Sequence, residues 1–579
     1  LPADHDPFRP WASAVVGDRV VLKYTPPWPA LIAAGDLLTG SPRAALAVSA
    51  AAAAVLVALL TAEVLRDRVV AVAAGALFAL SPVVVVQSGT YLPYLFSLAL
   101  GMGAAVLLLS GTRLGSTPRL VAAGAVAGLA AFARPFDALL TVGPFAVAVL
   151  LARERSGLSR FGVVLRVAAG ALPVLGLSLV YNAVVVGGPF RLPFTVTGPQ
   201  DTFGFGDRGV FPDYTVAFTP ADGVSGLLAN LRATPGWVAG GLVVVALAVL
   251  GLVRTSGAAR WPVAALAVVV PLGYLPFWGP WAISAQWKGL ALFGPFYSLP
   301  VVVSLTVFGA AGLARVARRP AGGRPLAAGL VAAMVALTAL AVPDPVAGHR
   351  AVTEQYRAVQ RVVAAADLDD ALLFLPRRGD YAFVGTTPFL QNDPSLQQPV
   401  LYAEQRGAAD LALAERFLDR TLHRLSEDRY PDGGAPVVER LRVDAGPTVT
   451  LRVRLTNATD APVAVAYLRV GDRTYEQPLD EASSPGQVHE VTWTVTAPGG
   501  APSDPAAVVL PDDGVLAVGL AVRAPGDDGP GTRWERRVAH RTVDGGGRVE
   551  LLRPGQAWAR AGRGRWVPDA AGSPVEEIG

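Results

Sequence analysis

Only two lysines, Lys23 and Lys288, occur in 579 residues that hold 47 arginines, and each stands among aromatic residues. Lys23 opens the run Lys23-Tyr24-Thr25-Pro26-Pro27-Trp28-Pro29-Ala30-Leu31, and Asp4, His5, Asp6 and Asp18 precede it. Carboxylates of that kind can act as a general base, and an ammonium beside aromatic rings suits a phosphate or a sugar. The plainer alternative is a proline-stiffened connection into a surface helix at Ala30–Leu38. Arg134 and Asp137, in Ala133-Arg134-Pro135-Phe136-Asp137, interrupt an apolar stretch. Charge at a membrane boundary is costly unless paired or wet, so this is either an anion site or an ion pair closing a tight turn. Asp207 and Arg208 sit in Phe203-Gly204-Phe205-Gly206-Asp207-Arg208-Gly209, where glycines permit close backbone approach; a turn-rich loop is the alternative. Trp278, Trp281, Gln286, Trp287 and Lys288 form an aromatic, basic cluster that could line a groove for a lipid phosphate or anchor at headgroups.

The elements that must position these residues are apolar. Hydrophobic residues make up 52% of the chain and its mean hydropathy is +0.43. Between Arg43 and Val342 only eight Asp or Glu occur. A bilayer crossing takes about 20 apolar residues. Candidate spans lie at 43–65, 68–86, 91–111, 119–134, 136–152, 161–185, 235–254, 261–279, 294–315 and 325–342, about ten in all. Arginines cluster after every other span: Arg66 and Arg68; Arg113 and Arg119; Arg153, Arg155 and Arg160; Arg254 and Arg260; Arg315, Arg318, Arg319 and Arg324. Positive loops stay cytoplasmic. Residues 1–42, the loops at about 186–234 and 278–294 and the C-terminal region are therefore expected outside a plasma membrane that the chain crosses many times. A chain that starts in an outer loop also implies a helix upstream of Leu1.

There is no cysteine, which removes disulfides and thiolate chemistry and fits a bacterial envelope protein. The net charge of +4 is modest, and no basic patch interleaved with aromatics points to nucleic acid. No His/Glu pair has zinc-site spacing, although Asp4, His5 and Asp6 could help hold a divalent cation.

Four parts are expected: a first outer loop (1–42), a multi-span region (43–345), a mixed α/β segment (346–436) and a β-sandwich (437–579). The spacing of Val352, Tyr356, Val359 and Val363 predicts an amphipathic helix over Arg350–Ala366. Ala371–Pro376 and Pro399–Tyr402 read as strands. Period-two alternation predicts further strands at Val449–Leu455, Val463–Val470, Val488–Val495 and Val515–Val522. Asn457-Ala458-Thr459 matches a glycosylation sequon that a bacterial protein would not use.

Taken in order, several segments resemble the polytopic C-type glycosyltransferases, the superfamily of the protein mannosyltransferases and the aminoarabinose lipid A transferase. The resemblance is nearest to the bacterial dolichyl-phosphate-mannose-protein mannosyltransferase-like branch and covers about residues 1–430. It rests on the Lys23–Leu31 run, Leu80-Ser81-Pro82 with Ser88-Gly89-Thr90, Phe132-Ala133-Arg134-Pro135, and Tyr181-Asn182 with Gly188-Pro189-Phe190. The Phe203–Gly209 run and Leu401-Tyr402-Ala403-Glu404-Gln405-Arg406-Gly407 complete it. It implies an enzyme that moves a sugar from a polyprenyl-phosphate donor to an extracytoplasmic glycan, protein or lipid. The family's base is usually an Asp or Glu in the first outer loop, near the end of the first helix. Here Asp4 and Asp6 are the positions available, and the residue itself is expected upstream. Lys23, Tyr24, Arg134, Asp137, Asp207, Arg208, Trp287 and Lys288 are the expected substrate-binding residues. A flippase or transporter of lipid-linked glycan, or a non-catalytic envelope assembly protein, would share many of these features. Transporters tend to carry polar groups in mid-span, whereas charges here gather at the outer rim.

Overall fold

Apolar helices overlap each of the ten expected spans, in a computed structural model that describes residues 3–10, 12–152, 159–211, 214–376, 391–426, 436–460, 463–479, 484–499, 506–511, 513–524, 531–569 and 572–578. Arg153 and Arg155 lie outside the described residues. The chain divides into a helical unit, residues 12–16 and 21–351, and a sheet-rich unit, residues 1–11, 17–20 and 352–579. It is a polytopic helical membrane protein with a C-terminal β region.

Two short strands come first, β1 (Ser13–Val16) and β2 (Arg19–Leu22). The helical unit then runs α1 (Pro27–Thr39), α2 (Arg43–Leu65), α3 (Arg68–Ala79), α4 (Pro82–Gln87), α5 (Tyr94–Leu114), α6 (Thr117–Ala133), α7 (Pro135–Leu151), α8 (Arg160–Val186) and α9 (Pro193–Thr197). A hairpin, β3 (Gly206–Phe211) with β4 (Tyr214–Phe218), leads to α10 (Pro220–Ala233), α11 (Gly241–Arg254), α12 (Arg260–Tyr274), α13 (Trp278–Trp281), α14 (Leu290–Phe293), α15 (Leu299–Ala317), α16 (Gly323–Ala341) and α17 (Pro343–Ala365).

Five helical stretches among the described residues are long and apolar enough to cross a bilayer alone: Arg43–Leu65, Tyr94–Leu114, Arg160–Val186, Phe296–Ala317 and the one starting at Gly323. Arg68–Ala79, Thr117–Ala133, Pro135–Leu151 and Arg260–Tyr274 are shorter. Residues 235–254 do not form one straight span, because Pro220–Trp237 meets Gly241–Arg254 at 101°. The expected 68–86 span breaks at Leu80-Ser81, since Ser81 precedes Pro82 and is extended there.

Ion pairs gather the arginine loops at one end of this unit. Arg113, in the last turn of α5, donates to both oxygens of Glu63 at 2.7 and 3.0 Å, and Arg66 reaches the same carboxylate at 3.1 Å. Arg318, after α15, pairs with Asp67, whose carboxylate also caps α3 by accepting from Val69 and Val70 N–H. Loops after the first, third and ninth segments therefore share an end, as their charge alternation requires.

Glycines let certain helices touch backbone to backbone. A Cβ on Gly124 of α6 would sit 1.9 Å from the Val167 carbonyl oxygen, and one on Gly170 of α8 would sit 1.9 Å from that of Val121. Gly251 of α11 and Gly312 of α15 meet the Phe308 and Leu247 carbonyls at 1.9 and 2.0 Å in the same way. Lipid offers no hydrophobic drive for helix association, so such close approach supplies the packing.

In the sheet-rich unit the strands are β5 (Ala371–Leu375), β6 (Val400–Glu404), β7 (Thr421–Ser426), β8 (Val437–Gly446), β9 (Thr448–Thr456), β10 (Val463–Val470) and β11 (Arg473–Pro478). They continue with β12 (Val488–Thr496), β13 (Val508–Val509), β14 (Gly514–Arg523), β15 (Thr532–Val543), β16 (Arg548–Ala561), β17 (Val567–Pro568) and β18 (Val575–Glu577); α18 (Ala409–Arg416) follows β6. Every strand anticipated from alternation is present. One sheet runs β11-β10-β14-β15-β16-β8-β7-β5-β6, with β17 on β16, and a second runs β13-β12-β9-β18. The two pack as a sandwich around Leu451, Val453, Leu468, Val518, Val538 and Leu551. The boundary expected at 436/437 falls inside the large sheet, because β8 pairs with β7 on one side and β16 on the other. At its far end β5 lies parallel to β6 and β7. Val359 and Val363 of α17 cover one face of β5, while Leu411 of α18 and Phe8 cover the other.

Asp410 gives this unit a pH dependence. Its carboxylate accepts backbone N–H bonds from Arg406 and Gly407 at 2.7 and 3.1 Å, yet burial pushes its pKa up to about 7. A raised acid favours the neutral form in the fold. Ionisation therefore costs stability progressively from pH 4 to 7, on the order of 4 kcal/mol once complete. Asp6 opposes this only in stronger acid, since its Arg9 and Arg406 partners hold its pKa below 3.8. Burial lowers the pKa values of His423 and His540 in the same unit, so acidification below 6.5 works against the Asp410 gain. The expected signature is that the unfolding temperature of the unit, taken relative to an Asp410→Asn variant, rises as pH falls from 8 to 5.

Candidate functional site

The turn between α6 and α7 follows from Arg134-Pro135. A residue before proline avoids the helical region, and Arg134 takes φ −152° and ψ 87°. Pro135 then starts α7, where its missing N–H costs nothing, and Asp137 lies in that helix's first turn. Arg134 Nε donates to Asp137 Oδ2, and Tyr274 at the end of α12 donates its hydroxyl to Asp137 Oδ1. The guanidinium lies over the Tyr94 ring, 4.3 Å from its centroid. Its Nη groups have no hydrogen-bond partner among the described residues.

The Lys23–Leu31 run is fastened to this turn. Thr25 Oγ1 donates to the Phe132 and Ala133 carbonyls at 2.8 and 3.3 Å, satisfying the open end of α6. Trp28 Nε1 donates to the Tyr91 carbonyl at 2.8 Å, and its ring packs 5.3 Å from Phe96.

Lys23 is buried. Its Nζ donates to Asp201 Oδ2 at 2.5 Å and lies 4.4 Å from the Phe194 ring centroid. Trp278 Nε1 occupies the other oxygen of Asp201 at 2.8 Å. Tyr297 links the two pairs: its ring meets Tyr94 at 5.3 Å, Tyr274 at 5.1 Å and Phe277, next to Trp278, at 5.7 Å. Tyr94 starts α5, and Tyr274 and Tyr297 lie at the end of α12 and just before α15. All three are thus at the end opposite the Glu63 and Asp67 ion pairs.

The other expected residues divide by what they touch. Arg208 spends its guanidinium on its own loop, donating to the Phe203, Gly204, Phe205 and Asp207 carbonyls at 2.7 to 3.3 Å. Asp207 is exposed beside it. Tyr24 is exposed, as is Lys288, which adopts φ +49°. Trp287 packs edge-on against Trp278 at 5.5 Å. Asp6 belongs to the sheet-rich unit, where it pairs with Arg9 and Arg406 at 2.5 Å each. Asp4 lies in the short turn Ala3–Phe8, and its side chain is outside the described residues. Among the described residues no group of three or more His, Asp or Glu is placed to hold a metal ion.

Sequence reasoning missed Asp201, Tyr94, Tyr274 and Tyr297. Nothing local marks Asp201, because its partner is 178 positions away. The tyrosines had a usable signal, since each lies at the outer end of a predicted span.

A family model described as a domain of unknown function (DUF7846) matches residues 371–538. No curated protein matches the chain by sequence. Among solved structures, ArnT from Cupriavidus metallidurans bound to undecaprenyl phosphate aligns with 12% identity and a TM-score of 0.46, covering 73% of this chain and 85% of that one. The apo form of ArnT aligns at 13% identity with a TM-score of 0.42 over the same shares. Arabinofuranosyltransferase AftD from Mycobacteria aligns at 12% identity with a TM-score of 0.42, covering 94% of this chain and 56% of that chain.

Proposed function

We propose that the chain is a membrane glycosyltransferase that takes a sugar from a polyprenyl-phosphate donor and passes it to an acceptor on the extracytoplasmic side. One observation carries the reading: a guanidinium at a helix break among apolar helices, fixed through Nε and one face, with its Nη edge left for an anion. Arginine's planar fork matches two phosphate oxygens. A lipid phosphate is the anion that an apolar helical unit can bring to such a place.

In the reaction, an acceptor hydroxyl attacks the anomeric carbon and the bond from that carbon to the phosphate oxygen breaks. Polyprenyl phosphate leaves carrying the electron pair, and Arg134 stabilises the charge that develops on it. The hydroxyl proton goes to a carboxylate; Asp137 and Asp201 are two that the helical unit supplies near Tyr297. The arginine loops define the cytoplasmic end, so the opposite end, with Arg134, faces out. By the same rule residues 346–579 are extracytoplasmic. The sequence resemblance favours mannosyl-type donors and a protein, glycan or lipid acceptor.

The test reconstitutes the chain in proteoliposomes with polyprenyl-phosphate sugars and envelope acceptors. Release of polyprenyl phosphate together with labelled acceptor is expected. Translocation of the intact donor with no transfer would sink this reading and leave a flippase.

A further inference from the structure

A short strap, residues 201–208, ties the Arg134–Asp137 turn to Asp201. At its start, Asp201 gives one carboxylate oxygen to Lys23 and the other to Trp278. Two residues on, Phe203 bridges to Phe277, and Gly204 N–H donates to the Pro276 carbonyl at 2.8 Å. The Phe203 ring lies 4.3 Å from that of Phe136, which precedes Asp137, and 4.8 Å from that of Phe277. It also stacks 6.4 Å from the ring of Tyr274, the residue that donates to Asp137. Phe203 therefore stands beside the place where the Nη edge of Arg134 is left for an anion.

Arg208 sets the shape of this strap. Its Nε, Nη1 and Nη2 donate to the carbonyls of Phe203, Gly204, Phe205 and Asp207, so the loop closes around its own cation. Gly204 and Gly206 take φ of +100° and +113°, where side chains are disfavoured. A Cβ on Gly204 would also come within 3.0 Å of Arg208 Nη2. The charge is thus committed to the loop, and what the strap presents is the ring of Phe203. That ring is 38% exposed although it touches Phe136, Tyr274 and Phe277. Phe218 of the same hairpin is 1% exposed, as befits a ring that only packs.

We propose, resting on the transferase reading in which Arg134 receives the lipid phosphate, that Phe203 is the platform for the donor's sugar ring and Arg208 the positioning residue that sets it. The sugar is joined to that phosphate through a single oxygen, so its ring must lie next to the anion. A sugar carries hydroxyls at its edge and C–H bonds on its faces. Those C–H bonds, polarised by neighbouring oxygens, meet the negative face of an aromatic ring favourably. Such a platform uses no charge, in keeping with a guanidinium spent on its own loop. It also separates the donor from the bare polyprenyl phosphate that leaves, since only the donor has a ring to stack.

The experiment measures binding to the full chain in detergent by calorimetry, using undecaprenyl phosphate carrying mannose, the same lipid carrying arabinofuranose, and bare undecaprenyl phosphate. At least one sugar-bearing lipid should bind about tenfold more tightly than the bare one. Phe203→Leu keeps an apolar side chain but removes the flat ring. It should erase that preference and leave affinity for bare undecaprenyl phosphate unchanged, whereas Phe203→Tyr should retain the preference. Arg208→Ala should reduce it in the same direction, and Arg208→Lys, whose ammonium cannot span the loop's carbonyls, should not rescue it. Should Phe203→Leu fail to fold, Arg208→Ala carries the comparison. Equal wild-type affinity for bare and sugar-bearing lipids, an undiminished preference in the folded variant, or an equal loss for all three lipids would each overturn the proposal. Sugar-dependent binding that Phe203→Leu erases, in a chain that transfers no sugar, would remove the transferase reading alone. A wild type that binds none of the lipids would overturn both.

Discussion

Arg134→Ala is expected to abolish measurable sugar transfer and to destabilise the helical unit at the same time. Its side chain is 17% exposed and that of Asp137 13%. Removing one partner of a buried pair leaves an uncompensated charge and typically costs ~3–5 kcal/mol. Asp137 would keep only the Tyr274 hydroxyl. Loss of a preorganised donor at a leaving phosphate typically lowers turnover ~10²–10³-fold. Arg134→Lys separates the two effects, because it keeps the charge and gives up the planar fork. That variant should retain much of the stability and still lose transfer by an order of magnitude or more. Turnover of the donor and thermal unfolding, measured on the same preparations, check both. Transfer at the wild-type rate in folded Arg134→Ala would remove Arg134 from the reaction.

Lys23→Met is expected to be comparably damaging, for a partner that local sequence does not reveal. Asp201 would be left buried with the Trp278 indole as its remaining side-chain donor among the described residues. Pairing Lys23→Met with Asp201→Asn removes both charges while keeping an oxygen for Trp278. The double variant should be more stable than Lys23→Met alone, and the difference in a double-mutant cycle measures the coupling, on the order of 1–3 kcal/mol. Additive losses would mean that the ion pair contributes nothing beyond its separate side chains.

These two pairs show what sequence patterning can reach. Arg134 and Asp137 are three residues apart on either side of a proline, so their pairing follows from local chain geometry. Lys23 is conspicuous because lysine is so rare, yet Asp201 lies in an ordinary-looking turn and only the tertiary fold brings it to Lys23. Asp6 is the reverse case. It lies in the acidic first loop, where the family resemblance puts a catalytic carboxylate, and Arg406, 400 positions on, ties it into the sheet-rich unit. The apolar segments were legible from hydropathy, their breaks less so. Sheet continuity across 436/437 was hidden because alternation reveals a strand and is silent about its neighbours.

The paired glycines of α6 with α8, and of α11 with α15, also constrain how a long lipid could reach the site. Where peptide groups of two helices touch, no side chain can swing aside to admit a chain of isoprene units. These two seams behave as welds, and each helix pair must move as one piece. Under the proposed function, a polyprenyl tail running to Arg134 would have to enter along a seam that side chains close, such as that between α7 and α12, where Leu140 packs against Gly273. Access would then be a matter of rotamers, with the backbone framework left standing.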